Sequence, residues 1–283
     1  MNYRYSIKLF AVILMVQAFV APKFAGLNFV GVAHAKTVDA MVETAALNLK
    51  DAKDLDYVVS KVSSARVVYV GEIHDDYSNH MIQLGIIQRL HALNPNIAIG
   101  MEQFQQPFQN VVDQYISGKL DEKELIRQSG WMERWRFDYR LYRPILSYAR
   151  AQHIPVIALN VASEIVSKVS KSGIEGLSDA DRNKVPAHID YSDQKYRERL
   201  EKIYAKHAHK DKQSFDRFLQ VQLLWDEGMA KRAAEYMTAN PKTQLVVLAG
   251  IGHLMYGSGI PQRVSRRVQS KMAIILPGGD YEP

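Results

Sequence analysis

The chain has 283 residues, with 36 Lys and Arg against 30 Asp and Glu, a formal net charge of +6 and no cysteine. A sequence without cysteine excludes disulfides, thiolate metal sites and a lipid-anchor cysteine. The basic residues are interleaved with acidic ones, as in residues 196–202, and do not form the concentrated stripe of a nucleic-acid-binding protein. We therefore expect no nucleic-acid partner, and the length suits one α/β domain with a sizeable core.

The first 35 residues have the pattern of an export signal. Two basic residues precede an apolar run at residues 9–20, and Ala33-His34-Ala35 supplies small residues around a cleavage point. The pattern predicts a signal peptide at residues 1–35, a mature domain at residues 36–283 and a periplasmic location. An uncleaved anchor is the alternative, because residues 21–35 are also mostly apolar.

Strands and helices alternate along most of the chain. Short β-favouring apolar runs predict strands, and apolar residues at helical spacing predict the helices between them. The predicted strands are residues 67–70, 97–101, 156–159, 244–249 and 272–276, and the predicted helices include residues 54–65, 78–93, 108–115, 122–128, 141–152 and 259–268. This order is typical of an α/β fold with a central parallel-rich mixed sheet flanked by helices. Only helix signals occur at residues 192–237, which predicts a helical insertion over about residues 178–240.

Two segments place a histidine just after a predicted strand and a glycine. They are Gly71-Glu72-Ile73-His74 and Gly250-Ile251-Gly252-His253. In open α/β sheets, ligands bind at the carboxyl ends of the strands. We therefore expect His74 and His253 to share one site, whereas the alternative for either residue alone is a structural histidine.

Acidic side chains accompany these histidines. Glu72 lies in the first segment and Glu102 follows a predicted strand, where an acidic group is costly unless it has a partner. Glu72, His74, Glu102 and His253 would together suit general acid–base chemistry on water. Glu72, His74 and His253 would also suit a divalent metal ion. The alternative for the two acids is a structural ion pair.

Other acidic residues have less specific interpretations. Asp76 or Ser78 is predicted to cap the helix that follows the first histidine. Asp226 and Glu227 are adjacent on a predicted helix, so they face different directions and at most one of them would reach a site. A solvated acid pair is the alternative for these two.

A separate cluster suggests different chemistry. Tyr204 and His207 share a helical face at a spacing of three, and His209 lies close by. A tyrosinate can bind ferric haem, and a nearby imidazole can tune it by hydrogen bonding. Neighbouring lysines leave a solvent-exposed polar helix end as the alternative. Residues 131–143 mix aromatic and arginine side chains, which predicts either an anionic planar ligand or an amphipathic cover over the sheet.

Five short motifs occur in order along the chain. They are Val70-Gly71-Glu72-Ile73-His74-Asp75-Asp76, Gly100-Met101-Glu102-Gln103-Phe104, Ala158-Leu159-Asn160, Trp225-Asp226-Glu227-Gly228-Met229-Ala230 and Ala249-Gly250-Ile251-Gly252-His253, the last completed by Tyr256-Gly257-Ser258-Gly259-Ile260-Pro261. Together they resemble the ChaN family of bacterial haem-binding, iron-regulated proteins, over nearly all of the mature chain. That family is similar to a wider superfamily that includes TIKI metalloproteases, TraB proteins and erythromycin esterases.

The resemblance implies an α/β fold with a shared site at the strand ends, which corresponds here to Glu72, His74, Glu102 and His253. It also implies haem binding, with paired haems held between the subunits of a homodimer. It does not place the iron ligand on a named motif, so the choice of Tyr204 with His207 is based on chemistry alone.

Two functional hypotheses follow. The first is an exported haem-binding protein in iron or haem uptake or trafficking, with membrane transport components as further partners. The second is a hydrolase of peptides or esters, in which the four strand-end residues bind a divalent metal or activate water directly. Whether the protein is an enzyme stays open at this point.

Overall fold

The computed structural model describes residues 54–206 and 214–278, together with the backbone of two short strands, β1 (Ala33–His34) and β2 (Glu43–Thr44). These two strands pair in antiparallel orientation. Apart from that backbone, the predicted signal peptide lies outside the described residues. Within the described part, no helix is both long enough and apolar enough to cross a membrane.

A five-stranded sheet forms the centre of the molecule. Its strands are β3 (Val67–Glu72), β4 (Ile97–Gln105), β5 (Val156–Asn160), β6 (Gln244–Gly250) and β7 (Met272–Ile275), in the spatial order β5-β4-β6-β3-β7. Every pairing in this sheet is parallel, so the α/β prediction is confirmed and the sheet is more regular than the expected mixed one. Because parallel strands end on the same side, the carboxyl ends of β3, β4 and β6 lie next to one another.

Eleven helices surround the sheet in the described residues. They are α1 (Leu55–Val62), α2 (Tyr77–Leu93), α3 (Gln109–Ile116), α4 (Glu122–Gln128), α5 (Trp131–Arg134), α6 (Tyr139–Ala151), α7 (Ser163–Ser172), α8 (Asp179–Arg182), α9 (Gln194–Ala205), α10 (Phe215–Ala239) and α11 (Ile260–Arg267). Asp76 caps α2 by accepting a hydrogen bond from the Ser78 amide, as the sequence indicates. Between β5 and β6, the described residues form helices and loops and contribute nothing to the sheet.

The alternation of side chains along the strands creates two apolar layers. In β3, Val68 and Val70 face the layer that contains α2 and α6, while Val67 and Tyr69 face the layer that contains α7, α10 and α11. All four side chains are buried. Long α10 is therefore packed on the sheet itself, and it brings its own polar residues to the carboxyl edge.

Candidate functional site

The strand ends bring the four predicted residues to one edge of the sheet. Glu72 pairs in register with Gly250, the glycine that precedes His253 by three positions. Glu102 lies inside β4 and not after its end, because this strand continues to Gln105 through a register shift. The Gly250 amide donates to Glu102 Oε2 at 2.7 Å, so the backbone of β6 fixes this carboxylate.

Glu72 is a buried carboxylate with donors around both oxygens. His74 Nδ1 donates to Glu72 Oε1 at 2.8 Å, and the Tyr142 hydroxyl donates to the same oxygen at 2.7 Å. The side-chain amides of Gln83 and Gln103 each donate at 2.9 Å. Burial alone would raise the pKa of Glu72, but the hydrogen bond from His74 and the nearby imidazoles outweigh it and lower the pKa to about 2.

A second buried pair lies across the edge. His253 Nδ1 is 2.6 Å from Asp226 Oδ1, and the Tyr196 hydroxyl donates to Asp226 Oδ2 at 2.5 Å. His253 Nε2 is 3.4 Å from Glu102 Oε1. Burial alone disfavours the charged imidazole, but Glu102 and then Asp226 outweigh it and raise the pKa of His253 to about 10.

Glu102 connects the two pairs electrostatically. Burial disfavours charge on all three groups, yet the pKa of His74 is raised, first by its hydrogen bond to Glu72 and then by Glu102. The pKa of Glu102 is in turn lowered, mainly by His253. His253 is therefore protonated near neutral pH, and carboxylates alternate with imidazoles along the edge.

Because Gly250 has no side chain, the His74 imidazole can lie against the backbone of β6. A Cβ atom at Gly250 would lie 2.8 Å from Cε1 and 2.9 Å from Nε2 of His74. On its other side the His74 ring meets Trp135 edge-on, with ring centroids 4.8 Å apart, and Phe137 at 5.1 Å. The strand backbone and an aromatic wall therefore hold the imidazole between them.

A narrow cleft of about 40 Å³ opens above His74, Glu102 and His253. Its other walls come from the end of β4, the turn at α5 and the faces of α7 and α10: Gln105, Arg134, Trp135, Asn160, Val161, Ser163, Val166 and Trp225. Such a space holds a few water molecules. The Glu102 carboxylate and the two imidazoles at its floor can exchange protons with a small molecule of that size.

The structure does not assemble the predicted metal set of Glu72, His74 and His253. Residues 54–206 and 214–278 contain no group of three His, Asp or Glu side chains that could hold a metal ion. One physical reason is that both oxygens of Glu72 already accept hydrogen bonds, from four side chains in all.

The adjacent acids on α10 separate as their spacing predicts, although neither is solvated. Asp226 turns to His253, whereas Glu227 is buried among three arginines of α11, with Arg267 Nη2 at 2.5 Å and Arg266 Nη2 at 2.8 Å. Glu227 therefore ties α11 to α10. The aromatic part of residues 131–143 forms the predicted amphipathic cover, because Trp131, Trp135, Tyr139 and Tyr142 are buried.

Several side chains that hold the acidic groups of the site were not predicted from the sequence. Tyr142, Gln83 and Gln103 hold Glu72, and Tyr196 holds Asp226. Gln103 follows Glu102 directly, and its position in a motif was a usable signal. Tyr142 and Tyr196 lie on distant helices, and nothing in their local sequence indicates that they meet a carboxylate.

The predicted haem ligands lie away from this edge or outside the described residues. The half-buried Tyr204 ring packs against Phe215 and Phe218, with centroids 5.6 Å apart in both cases. His207 and His209 lie outside the described residues. The cleft itself is far too small for haem, since pockets for drug-sized ligands measure about 300–1,000 Å³.

A more accessible tyrosine lies in the loop after His253. Tyr256 is 57% exposed and has a left-handed backbone, with φ of 58°. This conformation is strained for a residue with a bulky side chain. The Arg199 guanidinium lies 5.2 Å from the ring centroid, and exposed Ile274 lies beside Gly257. A phenol, a cation and an apolar side chain at one surface fit the iron, propionates and ring of haem, respectively.

Comparison with known proteins points to one family, ChaN, in both sequence and fold. Residues 58–264 match the family model described as haem-binding uptake, Tiki superfamily, ChaN. The fold is similar to a structure described as cofacial heme binding to ChaN of Campylobacter jejuni, with 18% identity, a TM-score of 0.64, and coverage of 81% of this chain and 87% of that one.

Two further similarities carry less information about function. The Arabidopsis thaliana protein RETICULATA-RELATED 5, chloroplastic, is 25% identical over 251 residues, which cover 79% of this chain but only 32% of the plant protein. A mutant erythromycin esterase, EreC, in its open conformation has 14% identity over 78% of this chain and 72% of that one. Its TM-score is 0.47, which is too low to support hydrolysis here.

Proposed function

Because this chain belongs to the ChaN family of haem-binding uptake proteins in the Tiki superfamily, we propose that it binds haem and serves haem or iron uptake. The observation that carries the proposal is the family match over residues 58–264. The matched range contains four strands of the sheet and the loop with Tyr256. The bound haem would supply an iron centre that can be carried or handed on.

We assign the haem surface to the loop around Tyr256. Its side chain is largely accessible to solvent, and a phenolate is an established ligand of ferric haem. Arg199 presents a guanidinium that can pair with a propionate carboxylate. Tyr204, together with His207 and His209, stays the sequence-based alternative, and its ring is less accessible because it packs on Phe215 and Phe218.

The cofacial haem binding described for the Campylobacter jejuni protein motivates a finer proposal. Two copies of this chain would each present one haem, and the two haems would stack between the subunits of a homodimer. Membrane transport components would then receive or deliver the haem. The N-terminal pattern of residues 1–35 supports export to the periplasm, and the mass of protein recovered from that compartment would test cleavage after Ala35.

A titration of the apo-protein with ferric haem tests the main proposal. We expect a saturable Soret shift, and Tyr256→Phe is expected to weaken binding by roughly tenfold or more, because it removes the iron ligand. Tyr77→Phe is the matched control, since Tyr77 is a tyrosine of similar exposure, at 54%. It should bind like the parent protein.

The same titration distinguishes the Tyr256 surface from the Tyr204 cluster and from a protein that binds no haem. Loss of the Soret shift in Tyr204→Phe, with normal binding by Tyr256→Phe, would move the haem to the predicted helical cluster. A titration without saturation in the unmutated protein would contradict haem binding altogether.

A further inference from the structure

The cleft above His74, Glu102 and His253 is narrow, and its floor is largely buried. The two histidines are only 8% and 6% exposed, although both line the cleft. A molecule that is to reach these proton-bearing groups needs a wall of the cleft to move. The wall formed by residues 130–136, which we call the strap, has the features of a movable element.

The residue at each end of the strap has a left-handed backbone conformation. Gly130 has φ of 64° and Arg136 has φ of 73°. Between them, the amides of residues 133 and 134 donate to the Gly130 carbonyl, and the amides of residues 135 and 136 donate to the Trp131 carbonyl. These hydrogen bonds join strap residues to one another and hold the segment as a compact turn. The strained backbone at Arg136 is an additional mark of a segment under constraint.

One end of the strap is anchored and the other is latched. Trp131 is 1% exposed, and its indole donates to the Phe137 carbonyl at 2.8 Å, which makes it the fixed end. Trp135 and Arg134 lie in the cleft wall. The Arg134 guanidinium reaches across to α7, where Nη2 donates to Glu164 Oε1 at 2.6 Å and Nη1 donates to Ser163 Oγ at 2.6 Å.

The latch is a charged pair that water can reach. The hydrogen bond from Arg134 is the main cause that lowers the pKa of Glu164 to about 2, so both partners are charged at neutral pH. The side chains of Arg134 and Glu164 are 24% and 59% exposed, so water can compete for both. Partly exposed ion pairs of this kind contribute little to global stability but can bias a local equilibrium.

We propose that residues 130–136 gate the cleft and that the Arg134–Glu164 ion pair is the latch, so that opening admits a small polar molecule to His74, Glu102 and His253. The admitted molecule must form hydrogen bonds with a carboxylate flanked by two imidazoles, and it has few heavy atoms because the space is about 40 Å³. The gated cleft is a different site from the proposed haem surface, so the gating proposal can be tested independently of haem binding.

The chain has no cysteine, so one introduced thiol reports access to the cleft. Val166 lines the cleft and is 3% exposed, and Val166→Cys changes its volume little. We would measure the rate at which methyl methanethiosulfonate, a small uncharged reagent, modifies this thiol. Adding Glu164→Gln is expected to raise the rate roughly fivefold, the effect of removing an ion pair worth about 1 kcal/mol. Arg134→Gln, which breaks the latch from the other side, should do the same.

Two controls separate gating from general loosening. Glu175→Gln breaks the Arg217–Glu175 pair, whose side chains have similar exposures of 31% and 64%, and it should leave the rate unchanged. A thiol at Ala234, which is 3% exposed on α10, should react at the same rate with and without Glu164→Gln. Equal rates in the latched and unlatched proteins would overturn the proposal, as would an equal acceleration by Glu175→Gln or at position 234.

Discussion

His253 and Asp226 are separated by 27 positions, yet His253 Nδ1 and Asp226 Oδ1 lie 2.6 Å apart in the interior. The pair joins the loop after β6 to the middle of α10. Both side chains are buried, and Asp226 is one of the two carboxylates that raise the pKa of His253. Three predictions follow from this pair and its surroundings.

Asp226→Asn should destabilise the protein by about 3–5 kcal/mol, because it leaves the His253 imidazolium with less compensation in a buried site. Urea unfolding measures this change. Asp216→Asn is the control, since Asp216 is paired with Arg197 at 3.4 Å on the surface and its side chain is 75% exposed. This control substitution should lower the free energy of unfolding by less than about 1 kcal/mol. Equal costs in the two variants would show that the buried pair contributes no more than a surface one.

Stability should fall on both sides of a plateau near pH 4.5–6.5. The pKa of His253 is raised from 6.5 to about 10, so the folded protein binds the extra proton and loses stability as the pH rises from 6.5 through 10. The pKa of Glu72 is lowered from 4.5 to about 2, so its contribution is lost as the pH falls from 4.5 through 2. Denaturant unfolding across pH checks both limbs. His253→Gln should flatten the alkaline limb, and an unchanged alkaline limb would contradict the assignment.

Gly250→Ala should cost about 1–3 kcal/mol, because the new Cβ would lie 2.8 Å from the His74 ring, which Trp135 prevents from moving away. The shift of the His74 ring signals in NMR spectra would report the displacement directly. Gly252→Ala is a matched control from the same motif, since no atom lies within 4 Å of the position that its Cβ would take. It should change stability by less than about 0.5 kcal/mol. Similar costs for the two glycines would mean that close approach to His74 is not what Gly250 provides.

Much of the fold was accessible from local patterns. The runs at β3 and β6 predict buried strands because their apolar β-favouring residues are contiguous and are followed by glycine. The cap at Asp76 was also predictable, because capping depends on residues only two or three positions apart. The predicted end of β4 was wrong, since the bulge that carries the strand to Gln105 depends on its neighbour β5 and leaves no local signal.

Local patterns predict that Glu72, His74, Glu102 and His253 reach one edge of the sheet, because each lies at or close to the end of an apolar strand run. Strand periodicity is a property of short segments, so it can be read along the chain. Three further features come from tertiary packing: Tyr142 and Tyr196 hold the buried acids, Asp226 and not Glu227 meets His253, and Arg134 lines the cleft. Those contacts depend on how separate helices pack over the sheet, and spacing within one helix fixes which way a side chain faces but not what it meets.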